Sequence, residues 1–148
     1  MAIALDLVRA HLKADFVDVE TDLVKQYMAS ATRLCESFCS RRFYETDDDR
    51  RDDFPLALAD KVTLATARDT LLGVTVDAGD VAMIWDRYLH DIDSVRQRIN
   101  GIVQDDAIVA AILLTVGFLY TNRAAQELPE AAKRILQPYQ WIGDLAWI

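Results

Sequence analysis

Residues 21–40, TDLVKQYMASATRLCESFCS, decide the fold class. The apolar members are Leu23, Val24, Tyr27, Met28, Ala31, Leu34, Cys35 and Phe38. Steps of three and four residues place them on one stripe of a helix, which is the face a helix buries against a core. Thr21 offers an N-cap. The residue three positions on is Val24 rather than Glu or Gln, so the full capping box is missing.

Helical signals continue on both sides of this stretch. Upstream, Leu5, Val8 and Leu12 line one side of a short helix over Leu5–Leu12, and Asp15–Glu20 reads as a polar break. Downstream, Arg41–Phe54 reads as a charged connection. Within it, Glu45–Asp53 holds six acids and two arginines, a net of −4 and half of the chain's −8. Pro55 suits the first turn of a helix over Leu56–Leu72 that stops near Gly73. Val62, Thr63 and Thr66 lower the helix propensity there. Val74–Val76 reads as a short extended piece. Asp80–Asn100 carries Val81, Ile84, Tyr88, Ile92, Val95 and Ile99 at near-helical spacing, with Gly101 as its stop.

Asp105 or Asp106 opens the next helix, which runs to about Asn122. Its run Ala107–Tyr120 is apolar on nearly all sides, so it belongs at the centre of the fold or between subunits. Leu128–Gln137 is a last short helix, with Pro129 at its first turn and Pro138 ending it. The tail Tyr139–Ile148 carries Tyr139, Trp141, Ile142, Leu145, Trp147 and Ile148. The expected fold is therefore one all-α domain over residues 1–148: a compact bundle of about five to six helices with an extended C-terminal tail.

Composition narrows the function. Of 148 residues, 52% are hydrophobic, with only five glycines and three prolines, which suits a folded helical chain rather than a disordered one. A net charge of −8 argues against broad nucleic-acid binding, which rests on Lys and Arg neutralising phosphates. Cys35 and Cys39 sit four apart in one helix, so no disulfide framework is on offer. Ala107–Tyr120 falls short of the roughly 20 apolar residues of a membrane span. Met1–Leu12 includes Asp6, Arg9 and His11 and lacks a signal peptide's apolar centre. The expectation is a soluble chain made in the cytoplasm, with no membrane partner.

The residues of chemistry are sparse. There is no Gly-rich phosphate loop, no nucleophile elbow and no histidine pair at metal spacing. Asp86 and His90, four apart, form either a helix-surface ion pair or half of a metal site. Cys35 and Cys39 are either small core residues or half of a soft-metal site, and no second pair completes four zinc ligands. A calcium loop starting at Asp49 fails, because its third position is Arg51 and its sixth is Phe54. The pairs Arg41–Arg42, Arg50–Arg51 and Arg96/Arg98 either balance nearby acids or bridge subunits. No catalytic residue, metal or cofactor is expected. The tail is unusual for a terminus in its apolar surface, and either packs on its own domain or docks on a partner.

Two stretches then carry a family likeness: 113–125, LLTVGFLYTNRAA, and 128–141, LPEAAKRILQPYQW. An apolar helix ends in an aromatic and Asn-Arg, and a leucine-rich helix closes on Pro-Tyr and an aromatic. At the front, a short helix, an acidic break and a long helix end in Arg41-Arg42-Phe43. In order and spacing these resemble the head–tail connector, or adaptor, family of tailed bacteriophages, over about residues 5–44 and 106–141. Residues 45–103 form a middle segment atypical of its compact members.

The resemblance implies a structural subunit of the virion's head–tail junction. Such subunits form a ring, typically of twelve copies, below the portal; the ring extends the DNA channel without reading sequence and seats a neck or tail component. Carried over, portal or partner docking falls to Pro138, Tyr139, Trp141 and Trp147, within the docking tail 138–148. Subunit contacts fall to Arg41, Arg42, Tyr120, Asn122 and Arg123. An acidic loop of Asp47, Asp48, Asp49, Asp52 and Asp53 would face the channel and repel passing phosphates. The competing readings are a neck stopper or tail-completion protein, a helix-turn-helix DNA-binding subunit, and an enzyme seeded by His90 and Asp86.

Overall fold

The computed structural model describes residues 3–12, 18–75, 77–125 and 127–143. The fold is all-α: α1 (Leu5–Leu12), α2 (Asp18–Cys39), α3 (Asp47–Val74), α4 (Ala78–Ile99), α5 (Asp106–Thr121) and α6 (Glu130–Leu136). Two short strands, β1 (Phe43–Tyr44) and β2 (Ile102–Val103), pair in parallel, Phe43 opposite Ile102. A 3-10 turn over Gln137–Tyr139 follows α6.

Helix α5 is the centre. Ile108, Ala111, Ile112, Thr115 and Val116 are fully buried on it. Around it pack Val8 of α1, Val24, Ala31, Cys35 and Cys39 of α2, and Ala132 and Leu136 of α6. A helix apolar on most sides needs cover from several directions, and α1, α2 and α6 supply it within one chain. The Thr115 hydroxyl donates to the Ala111 carbonyl at 2.8 Å and lies 3.7 Å from the Cys35 sulfur. The Cys39 thiol points at the Leu136 carbonyl, 3.8 Å away.

The stripe over residues 21–40 is the α2 face of this core. α2 begins three residues before Thr21, so part of the expected polar break, Asp18–Glu20, is helix. Its end is a Schellman turn: the amide of Ser40 donates to Ser37 and that of Arg41 donates to Glu36. Ser40 holds the left-handed φ of 53° that such a turn requires.

The middle segment is a second unit, a long antiparallel hairpin of α3 and α4 that buries Ala57, Tyr88, Ile92 and Val95 against one another. At about 1.5 Å per residue, 28 residues of α3 extend about 42 Å. The expectation of a charged connection up to Phe54 is corrected here, because α3 starts eight residues before Pro55. Thr46 accepts from the Asp49 amide while the Asp49 side chain accepts from the Thr46 amide, a complete capping box. Asp47, Asp48 and Asp49 sit in the first turn, where the helix dipole favours negative charge. Pro55 consequently lies inside the helix, and Val74 is its last residue rather than part of an extended piece.

The arm is fastened to the body at its base. The Arg42 amide donates to Gln97, and the Ile102 amide donates to Arg42. Gly101 is buried against the Tyr44 ring; a Cβ there would overlap that ring and approach the Arg98 carbonyl at 3.0 Å.

Candidate assembly surface

The expected acidic loop is a helix, and its acids divide by task. Asp47 accepts from Arg50 and Arg51, both at 2.7 Å. Asp49 caps α3. Asp53 receives two Arg98 bonds at 2.6 and 2.9 Å and the Tyr44 hydroxyl. The Arg98 hydrogen bonds are the main reason its carboxyl is held below the usual range. Asp53 thus ties α3 to α4 and β1, Asp47 and Asp49 serve the first turns of α3 itself, and Asp48 and Asp52 are exposed.

Four of the five expected subunit contacts have partners within the chain. Arg41 donates to the Asn100 carbonyl at 3.1 Å. Arg42 lies 3.5 Å from Glu36, a buried carboxylate that also accepts the Phe43 amide at 2.8 Å. Tyr120 packs edge-on to Tyr27, ring centres 6.1 Å apart. The Asn122 side chain donates to the Phe118 carbonyl at 3.1 Å at the end of α5. Arg123 is exposed.

In the tail, the Tyr139 hydroxyl donates to Asp105 at 2.5 Å, tying the end of α6 to the N-cap of α5. The Trp141 amide donates to the Cys39 carbonyl at 2.9 Å, and the ring folds back over Gly143. Pro138 is exposed, and Ile142 is 94% exposed. Trp147 lies outside the described residues.

Among the described residues, no group of three or more His, Cys, Asp or Glu is placed to hold a metal ion. Burial pushes the thiols up, Cys35 to about 11 and Cys39 to about 12, away from the reactive thiolate. Asp86 and His90 are both exposed on α4. No described helix is long and apolar enough to cross a membrane.

The feature that the sequence reading missed is on the arm. Among the described residues, nine of the twelve exposed large apolar side chains belong to α3 and α4: Phe54, Leu56, Leu58, Val62, Leu71, Val74, Met83, Trp85 and Leu89. The stripe Val81–Ile99 accounts for the inward face of α4 and hides Met83, Trp85 and Leu89 beside it. A signal was present: α3 and α4 hold more apolar residues than one buried stripe between two helices accommodates. One of these side chains has a further task, since the Arg68 guanidinium lies 4.7 Å from the Trp85 ring and 4.4 Å from that of Tyr88.

Compared with family models, curated proteins and solved structures, the chain finds no match.

Proposed function

We propose that this chain is a structural head–tail connector subunit of a tailed phage or prophage, assembling as a ring below the portal. The observation that supports the assembly part of the reading is the arm: a two-helix layer with nine large apolar side chains open to solvent. Such surface is uncommon on a lone monomer and marks protein contact. The sequence likeness over 5–44 and 106–141 supplies the connector family, and those residues are the ones that build the body around α5. A mainly helical fold supports an adaptor over a neck stopper, whose relatives are richer in strands.

In this reading Pro138 and Ile142, beside the anchored Tyr139 and Trp141, present the docking edge toward the portal. The exposed Asp48 and Asp52 supply the negative surface along which DNA slides. A net charge of −8 disfavours the helix-turn-helix alternative. The test is electron microscopy and light scattering of the chain mixed with purified portal rings. Added density on one end of the portal, about one copy per portal subunit, is expected. Portal rings of unchanged mass would overturn the proposal, and tight, steeply salt-dependent duplex binding in a gel shift would favour the DNA-binding reading instead.

A further inference from the structure

The described residues build two hydrophobic cores that share no member. No residue of the core around α5, buried or partly buried, lies between positions 45 and 101. The core of the arm draws only on α3 and α4: Ala57, Tyr88, Ile92 and Val95, edged by Leu64, Ala65 and Ile99. The two helices pack chiefly on each other, and α3 reaches the body at β1 and β2. Polar ties to the body gather at the same root: the Arg42 amide on Gln97, the Arg41 side chain on the Asn100 carbonyl, and the Tyr44 hydroxyl on Asp53. The strand pair itself stays with the body, since Phe43 is buried in that core and Ile102 packs against it.

The two cores are unequal. Sixteen buried side chains hold the body, while four hold the 28 residues of α3 and the 22 of α4. Helices in proteins owe most of their stability to tertiary packing of an apolar face. A segment of this size rarely builds a sufficient core by itself. Tyr88 is the largest buried member on the arm, and the Arg68 guanidinium lies over its ring.

We infer that the arm opens and closes as a cooperative unit of its own: α3 and α4 unfold together while α2, α5 and α6 stay folded. Opening the arm removes no side chain from the core around α5, so the body bears none of the cost. Units bounded in this way open at free energies below that of global unfolding. The arm is then an order–disorder element, released without disturbing the body and held closed by anything that binds only its folded form. None of this depends on which partner the protein has.

The test is native-state hydrogen exchange on the full chain, without portal, read segment by segment by mass spectrometry. After correction for intrinsic rates, amides inside α3 and α4 are expected to exchange on the order of 100-fold faster than those of α5. Tyr88→Ala is expected to speed exchange on both arm helices by roughly 100-fold and to leave α5 unchanged. Ile112→Val, in the body's core, is expected to do the reverse, roughly 5-fold faster on α5 and unchanged on α3 and α4. Should Tyr88→Ala strip the arm of protection altogether, α5 is still expected to keep its wild-type rate, and Ile92→Val supplies the milder arm variant. One corrected rate shared by α3, α4 and α5 in the wild type overturns the inference. So does a Tyr88→Ala effect as large on α5 as on α4, or an Ile112→Val effect that reaches the arm equally. Faster exchange on α4 with α3 unchanged overturns it as well, because the two helices would then not open as one unit.

Discussion

Arg98, in the last turn of α4, grips both carboxylate oxygens of Asp53, in the second turn of α3, while a third nitrogen holds Asp60 at 2.6 Å. The Tyr44 hydroxyl on β1 donates to the same Asp53 carboxylate and ties the pair to the body. A planar guanidinium is the only side chain that serves two carboxylates in this way.

Arg98→Ala is expected to lower unfolding stability by about 2–3 kcal/mol, because a half-buried carboxylate loses its charged partner. Arg98→Lys should recover less than half of that. Urea denaturation followed by circular dichroism measures both; a lysine variant as stable as the parent would show that the fork geometry is unimportant.

The same pair sets an acid limit. Asp53 titrates below its unfolded value, so the unfolded chain binds more protons in that window. Stability from the pair is present above the ordinary aspartate value, about 3.9, and is lost as pH falls through the lowered one. Asp53→Asn is expected to be less stable at neutral pH, with its stability curve converging on the parent's below about pH 4. Parallel curves down to pH 2 would refute the assignment.

Glu36 has the opposite sign. Burial raises its carboxyl, against the opposing Phe43 amide, Arg42 and Arg33. Its folded form holds the proton longer than the unfolded form, so stability is lost as pH rises from the ordinary glutamate value through the raised one. Glu36→Gln retains an acceptor for the Phe43 amide without the buried charge. The variant should gain on the parent above that window and lose its advantage below about pH 4. A glutamine variant that is less stable at pH 7 would mean the carboxylate charge itself is needed.

Arg68 should behave as a clamp between α3 and α4. Replacing it with alanine removes two ring contacts and the packed stem, an expected loss of about 1–2 kcal/mol. With Trp141 and Trp147 changed to phenylalanine, the emission of Trp85 should shift to the red as its ring gains water. An unshifted spectrum with unchanged stability would remove the clamp.

Ser40 sits at a left-handed φ of 53° in the Schellman turn after α2. Ser40→Gly relieves the Cβ conflict at that angle, offset by a freer unfolded chain. A net gain of about 0.5–1 kcal/mol is expected. Thermal and urea unfolding read it directly, and a loss would mean that the serine side chain has a role of its own.

Where one periodicity governed a segment, the sequence was readable. The stripe from Leu23 to Phe38 became the α2 face of the core, and the run Ala107–Tyr120 became the covered centre. Asp105 caps α5 through the Ile108 amide, as its place before the apolar run implied. Prolines misled at one point: Pro55 read as a beginning, yet the Thr46–Asp49 box starts the helix earlier and carries it through. Likewise Glu45–Asp53 read as a loop on charge alone. Its charges find partners at positions 50, 51 and 98, the last of them far along the chain.

Local pattern by itself determined that this protein is helical and where most of its helices lie. Those facts follow from side-chain spacing along one helix, and spacing is a property of the chain. Only the tertiary structure decided that α3 and α4 form a separate arm, that Asp53 reaches Arg98 across it, and that Val62 and Met83 face solvent. Which side of a helix is covered depends on how many neighbours surround it. Here α5 has three helices around it, while α3 and α4 have chiefly each other.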